Sequence, residues 1–380
     1  MYDVVSLLSD LVALPSINPG SQEVTGPDYT EKAVIDRLAA FLEEHRVDYE
    51  RQEVLPEREN LIAMAEGRDP KQTVFLQSHT DTVAVDGMTI APFDPVVRDG
   101  KLYGRGSCDA KGQVAAMFTA LVNVLQHGPP ATNVAVIAGC EEEYQFHGVK
   151  HLLQSGFRAT RGIVGEPTEL HLIIAHKGCA RWRLHVHGRS AHSSNPHLGD
   201  NAISKIVPVL TAMETYHQEL QERPAHPLTG GSTLAVTLIQ GGNQINVIPD
   251  HCWIAIDLRL SPGESFENIK AEITEAIRRN TAAELEWEPV IFDYSMEIAP
   301  DEPIVQQLVA AVQSVTGGTP QIGGVAYGTD ASKFVQAGIP TVIFGPGSIA
   351  RAHTAEEYIE IDQLQQAVEI HSRILRGDWN

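Results

Sequence analysis

Five residues of metal-binding type, His79, Asp109, Glu143, Glu166 and His353, are spread along the 380-residue chain. Imidazole nitrogens and carboxylate oxygens suit zinc and similar divalent cations. Two histidines and three carboxylates gathered at one place could hold a cation or a pair of them. The chemistry open to such a centre is metal-assisted hydrolysis.

Each residue also has a plainer reading. His79 stands two residues before Asp81, and a ligating imidazole commonly donates its second N–H to an acceptor of this kind. Asp109 lies in Arg105-Gly106-Ser107-Cys108-Asp109-Ala110-Lys111-Gly112. There it could cap the following helix or place its two oxygens on two cations. The run Glu141-Glu142-Glu143 could occupy a solvated turn. At a sheet end, however, adjacent carboxylates repel one another and a divalent cation would relieve them. One glutamate could then bind metal while its neighbour handles protons. Glu166 is followed by Pro167, which stiffens its turn. His353 follows a Gly345-Pro346-Gly347 loop.

Four of the five stand after apolar runs that read as buried strands. Val74–Ser78 leads to His79, Val134–Ala138 to the acidic run, Gly162–Gly165 to Glu166, and Thr341–Phe344 through the Gly-Pro-Gly loop to His353. In open α/β sheets, ligands bind beyond the carboxyl ends of strands. Helices are expected over 3–14, about 29–46 and about 112–126, with strands near 49–54 and 60–66. This alternation points to α/β architecture. After Lys177-Gly178 the pattern changes. Arg181–His187 alternates with period two, and the order strand, helix, strand, strand, helix, strand follows to about residue 292. The expected fold is α/β: a discontinuous catalytic domain with a central mixed sheet flanked by helices, over 1–177 and 293–380. An inserted two-layer α+β lid or dimerisation domain occupies 178–292.

Composition bounds the partners. Lys and Arg number 28 against 49 Asp and Glu, a net charge of −21, which argues against nucleic acid and anionic membranes. No run approaches a transmembrane helix, and Met1–Leu14 lacks the basic start of a signal peptide. Cys108, Cys140, Cys179 and Cys252 show no paired spacing, so reduced thiols in a cytoplasm are expected. Cys108 and Cys140 lie close in sequence to candidate ligands, which leaves a thiolate site open.

The ordered runs Ser78-His79-Thr80-Asp81-Thr82-Val83, Leu102–Gly112, Glu141-Glu142-Glu143 and Val164-Gly165-Glu166-Pro167-Thr168 resemble one known family. It is the co-catalytic dizinc family of acetylornithine deacetylase, succinyl-diaminopimelate desuccinylase, aminoacylase and the glutamate-type carboxypeptidases. The resemblance continues through Gly188–Ser194, Asn246–Pro249, Asp257-Leu258-Arg259, Gly328–Ala331 and Ala352-His353-Thr354, and so covers essentially the whole chain.

This resemblance implies two Zn²⁺ ions, with Co²⁺ or Mn²⁺ as substitutes, bridged by Asp109. His79 and Glu166 would complete one site, and Glu143 and His353 the other. Asp81 would orient His79, and Glu142 would be the general base. It also implies a cis bond between Asp109 and Ala110. In the inserted domain, His192 would stabilise the oxyanion in a neighbouring subunit's site, Arg259 would grip a substrate carboxylate, and Asn246 would make a polar contact nearby. By residue type alone, His192 reads equally as a solvated loop residue and Arg259 as a salt-bridged strand arginine. Two positions depart from the family: Glu141 stands where aspartate is usual, and Ala110 where methionine is common. Neither removes a ligand; both bear on substrate fit.

The expected substrate is a small N-acyl amino acid, and the expected assembly a homodimer through the inserted domain. A dipeptidase or glutamate-releasing carboxypeptidase on the same scaffold is the second reading. A zinc-binding protein without catalysis is the third.

Overall fold

The computed structural model describes residues 3–378. The outermost residues of the two sequence-drawn catalytic segments, 1–2 and 379–380, lie outside that range. The chain forms two compact units. One comprises Met1–Ile174, Ile298–Gly323 and Thr329–Asn380, and the other Ala175–Glu297 with Gly324–Gly328.

The first unit is built on a mixed sheet. From one edge its strands run Tyr49–Leu55, Arg58–Ala65, Thr132–Gly139, Asp69–His79, Arg161–Val164, Thr341–Ile343 and Leu172–His176. Asp69–His79 is parallel to both its neighbours, Thr132–Gly139 and Arg161–Val164. His79 pairs with Gly139, and Gln77 with Val164. The carboxyl ends of three strands therefore lie level, and the residues just beyond them share one rim. These strands are buried on both faces and read as continuous apolar runs for that reason.

Helix Lys111–Leu125 is buried along almost its whole length. It packs on the two central strands and is covered in turn by helices Val4–Val12 and Ile361–Arg376. Helices Lys32–Glu44 and His147–Gln154 pack against Arg58–Ala65. Each fully buried Leu, Ile or Phe in this core contributes about 1.5–3 kcal/mol. No helix among the described residues is long and apolar enough to cross a membrane. All four cysteines are free and buried.

The C-terminal helix buries a histidine. His371 is fully buried, its ring meets Phe344 edge-on at 5.7 Å, and neither ring nitrogen has a hydrogen-bond partner. Burial holds its pKa down to about 3. Below pH 6.5 the unfolded chain takes up a proton that the folded chain refuses, so stability falls as the pH drops from 6.5 towards 3. The full effect is at most about 5 kcal/mol. Denaturant midpoints of wild type and His371→Leu should diverge in favour of the variant between pH 7 and 4. A constant difference across that range would contradict this reading.

The second unit has a four-stranded antiparallel sheet in the order Thr233–Gly241, His251–Leu260, Gly178–His187, Leu285–Asp293. Helices Ala202–Gln221 and Phe266–Asn280 pack against each other and close one core with the inward residues Trp182, Leu184, Val186, Ile254 and Ile256. Ser265 caps the second helix by accepting the Asn268 N–H. The two-residue strands Ala191–His192 and Val247–Ile248 pair beside the sheet.

Several elements have no counterpart in the sequence reading. Helix His147–Gln154 starts from Phe146, which is left-handed and provides no side-chain cap. Helices Pro303–Thr316 and Ile361–Arg376 also lack a capping side chain.

Candidate metal centre

The cluster lies at the level strand ends of the first unit and centres on Asp109. The loop that carries it needs its glycines. Gly106 is left-handed (φ 81°), and a Cβ there would come within 2.8 Å of Thr82. A Cβ on Gly112 would meet the Ser107 carbonyl oxygen at 2.4 Å. The Asp109–Ala110 peptide bond is cis. The following helix has Ala110 at its N-cap with no side-chain cap bond, so the Asp109 carboxylate is not spent as a helix cap.

The carboxylate faces two ways instead. Oδ1 lies 3.0 Å from His79 Nε2, and Oδ2 lies 3.2 Å from His353 Nε2. His353 Nε2 is also 3.4 Å from Glu143 Oε1. Among the described residues, His79, Asp109 and Glu143 offer ligand atoms that all lie within 4.8 Å of one another. Beyond the long 3.4 Å approach of His353, buried Glu143 Oε1 has no nearer hydrogen-bond partner among the described residues, which is costly for a carboxylate unless a cation meets it. Two imidazoles aimed at opposite oxygens of one carboxylate, with a second carboxylate oxygen only loosely met beside them, are a donor set that fits divalent metal.

Glu166 and Glu142 adjoin this group without joining its closest triple. Burial first, and then Asp109, raises the Glu166 pKa well above the usual range against the pull of His79. Glu142 is likewise raised well above it by burial; His79 opposes the shift, while Glu166, Asp330 and Glu143 add to it. Crowded carboxylates of this kind cannot all ionise without added positive charge. Burial would lower the His79 pKa, but bonds to Asp109 and Asp81 outweigh it and raise the value well above normal. His353 rises to about 10 through its bonds to Asp109 and Glu143.

Asp81 organises the rim. The His79 Nδ1 atom lies 3.0 Å from the Asp81 carbonyl and 3.5 Å from its carboxylate. That carboxylate accepts the backbone N–H groups of Glu142 and Glu143, each at 3.1 Å, and the Asn18 amide at 2.7 Å. One buried side chain therefore fixes both the imidazole and the two acidic residues.

The acidic run divides its labour. Glu141 adopts a left-handed conformation (φ 62°), and its carboxylate turns away to accept the His147 N–H at 3.0 Å at the start of helix His147–Gln154. Its backbone N–H is held by Glu31, which is itself paired with buried Arg58. His353 is also left-handed, at φ 59°. Such backbone costs about 1–3 kcal/mol per residue and tends to gather at functional sites.

Several partners of the cluster were not singled out by sequence. Glu357 accepts the Cys108 and Asp109 backbone N–H groups, both at 3.0 Å, and pairs with Arg105 at 2.6 Å. Lys111 is fully buried and donates to the Leu11 and Leu14 carbonyls, pinning the Asp109 loop to the first helix. Asp330 is buried, accepts from Gln77 at 2.7 Å, and is raised to about 6 chiefly by burial. The only sequence signal for Asp330 was its place in Gly328-Thr329-Asp330-Ala331, and for Glu357 its place just after His353. The thiolate alternative has no support: burial raises the Cys108 and Cys140 pKa values far above normal, and neither is in the ligand group.

The remaining sequence-predicted residues belong to the second unit. His192 is exposed, with Nδ1 2.7 Å from Ser194 Oγ. Asn246 is exposed, and its carbonyl accepts the Ser193 N–H at 2.9 Å. Arg259 donates from Nε to Asp257 at 2.8 Å.

The sequence profile of peptidase family M20/M25/M40 matches residues 75–377. An acetylornithine deacetylase from Myxococcus xanthus is 31% identical over 379 residues, covering 95% of this chain and 97% of that protein. A probable carboxypeptidase from Aspergillus flavus is 31% identical over 402 residues, covering 96% and 88%. Among solved structures, a dinuclear metal-binding peptidase of the M20 family from Bacillus subtilis superposes with a TM-score of 0.70 at 16% identity, covering 98% and 97%.

Proposed function

Because the chain belongs to peptidase family M20/M25/M40 and is an amide-bond hydrolase, we propose that it is a metal-dependent deacylase of N-acylated amino acids. The observation that carries this reading is the two-sided Asp109 carboxylate, with an imidazole on each oxygen. His79, Asp109, Glu143, Glu166 and His353 would hold two Zn²⁺ ions, or Co²⁺ or Mn²⁺ in their place. A cation pair here supplies Lewis acidity, polarising an amide carbonyl and acidifying water.

Glu142 is the proton carrier in this proposal. It takes a proton from the attacking water as the carbon–oxygen bond forms. It then returns that proton to the amine nitrogen as the carbon–nitrogen bond breaks. Burial and the neighbouring carboxylates raise its pKa, which makes its carboxylate a better proton acceptor than a solvated glutamate. Asp81 keeps the acceptor of this proton in place through the Glu142 backbone. His192, Arg259 and Asn246 are assigned oxyanion stabilisation, carboxylate binding and a polar substrate contact.

The relatives support two substrate classes. The Myxococcus xanthus protein favours an N-acetyl amino acid, and the Aspergillus flavus protein a peptide with a free carboxylate. A panel of N-acetylornithine, N-succinyl-diaminopimelate, N-acetyl amino acids and dipeptides, run with metal-reconstituted protein, separates them. Preferred turnover of the N-acyl compounds is expected. Turnover of dipeptides alone would replace the deacylase reading with the peptidase one.

A homodimer through the second unit is part of the proposal. The edge strand Thr233–Gly241 exposes Leu238 and Ile239, and helix Ala202–Gln221 exposes Ile203 and Val207. An unpaired edge with apolar side chains invites strand pairing with another copy. Leu238→Lys should turn a dimer into a monomer in light scattering, and an unchanged mass would count against this edge.

A further inference from the structure

Glutamine is mostly a surface residue, yet Gln113, in the first turn of helix Lys111–Leu125, is fully buried. A side-chain amide taken out of water is costly unless its groups find partners. The NH₂ group carries two donors, and here they serve two different loops. Gln113 Nε2 donates to the Cys108 carbonyl at 3.3 Å and to the Pro346 carbonyl at 2.7 Å. Cys108 directly precedes Asp109, and Pro346 lies in the loop that leads to His353.

The loop of a third ligand packs on the same side chain. Gly165 directly precedes Glu166, and a Cβ there would come within 2.8 Å of the Gln113 Cβ. A Cβ on Gly345 would meet Gln113 Oε1 at 2.0 Å. Glycine at both positions lets both loops close on the amide. The two loops are also tied to each other, because Thr168 Oγ1 accepts the Gly345 N–H at 3.0 Å. Between Pro346 and His353 the chain is drawn in by two turns. The Arg351 N–H donates to the Ser348 carbonyl at 2.8 Å, and the Ala352 N–H to the Ile349 carbonyl at 3.2 Å.

The energetics point away from a role in core packing alone. Gln113 Oε1 has no hydrogen-bond partner among the described residues, and a buried acceptor left unmet costs about 1–3 kcal/mol. An apolar side chain of the same length would fill the space without that cost. It could not hold the two carbonyls, and with them the Asp109 and His353 loops, at a fixed separation.

We propose that Gln113 is a positioning residue of the metal centre, setting the mutual placement of the loops that carry Asp109, Glu166 and His353. The proposal rests on the reading of those three residues as metal ligands. It gives Gln113 no contact with metal or substrate.

The test is Zn²⁺ affinity by competition with a chromophoric chelator, measured beside the denaturant midpoint of the metal-free protein. Gln113→Met keeps the side-chain length and removes both donors. It should weaken Zn²⁺ binding about tenfold, the lower end of the range for outer partners of metal ligands, with a metal-free midpoint close to wild type. Should that variant fold poorly, Gln113→Asn, one methylene shorter and unable to span both carbonyls, should weaken the metal in the same direction. Val122→Ala, buried about two and a half turns further along the same helix, is the control. It should lower the midpoint and leave metal affinity at the wild-type level. Wild-type affinity in the folded Gln113 variants, or an equal loss in Val122→Ala, would overturn the proposal. Wild-type protein that binds no Zn²⁺ would overturn the metal-centre reading itself, and this proposal with it.

Discussion

Glu142→Ala is expected to lower kcat for amide hydrolysis by about 10²–10⁴-fold while bound metal stays at the wild-type level. The expectation rests on how the acidic run is divided. Glu141 is bent back to cap a helix, and Glu143 is drawn to His353 and Asp109. Glu142 is left beside the cluster, among the charges of His79, Glu166 and Asp330. Burial and three neighbouring carboxylates raise its pKa, which strengthens it as a proton acceptor. Glu142→Gln should behave like the alanine variant, because it keeps the shape and removes the proton site. KM should change little in either, since Glu142 is assigned to the moving proton and not to substrate binding. A metal-loaded Glu142→Ala protein with near-wild-type kcat would remove the residue from the mechanism.

Asp109→Ala should have the larger effect on metal. Both oxygens of Asp109 are engaged, one toward each histidine, and burial would drive its pKa up if those imidazoles did not hold it well below normal. Loss of an outer partner of a metal ligand typically costs about 10–100-fold in affinity. Loss of Asp109 should exceed that and abolish turnover. Glu357→Gln supplies the comparison. The Glu357 carboxylate accepts the Cys108 and Asp109 backbone N–H groups and pairs with the Arg105 guanidinium, so it positions the ligand and should fall inside the 10–100-fold range. Metal affinities from competition with a chromophoric chelator would order the two variants. An Asp109→Ala protein that keeps wild-type metal affinity would exclude Asp109 as a bridge.

Much of the first unit was legible because its central strands are buried on both faces and therefore announce themselves as unbroken apolar runs. His79, Glu143 and Glu166 follow such runs closely, and parallel pairing brings the run ends level. His353 was harder. It lies well beyond the end of strand Thr341–Ile343, so the apolar run pointed to it only through the Gly345-Pro346-Gly347 loop.

Apart from Asp81, the positioning residues were not legible. Glu357 and Asp109 are separated by 248 positions, and Asn18 and Asp81 by 63. Asn18 lies in no run with an evident period, and the helix expected over about 29–46 carries nothing that singles out Glu31. The acidic run shows the same limit on a small scale. Three identical neighbours point in different directions because Glu141 takes a left-handed backbone conformation and Asp81 catches the next two N–H groups. That geometry depends on contacts far away in sequence. The helix-cap alternative for Asp109 failed for a local reason, since Ala110 occupies the cap position instead.

The most direct measurement is hydrolysis of N-acetylornithine and the other N-acyl amino acids by protein stripped of metal with a chelator and then resupplied with Zn²⁺. Turnover should disappear on stripping and return as metal is restored. Hydrolysis by metal-free protein at the rate of the metal-loaded protein would contradict a catalytic centre built on Asp109.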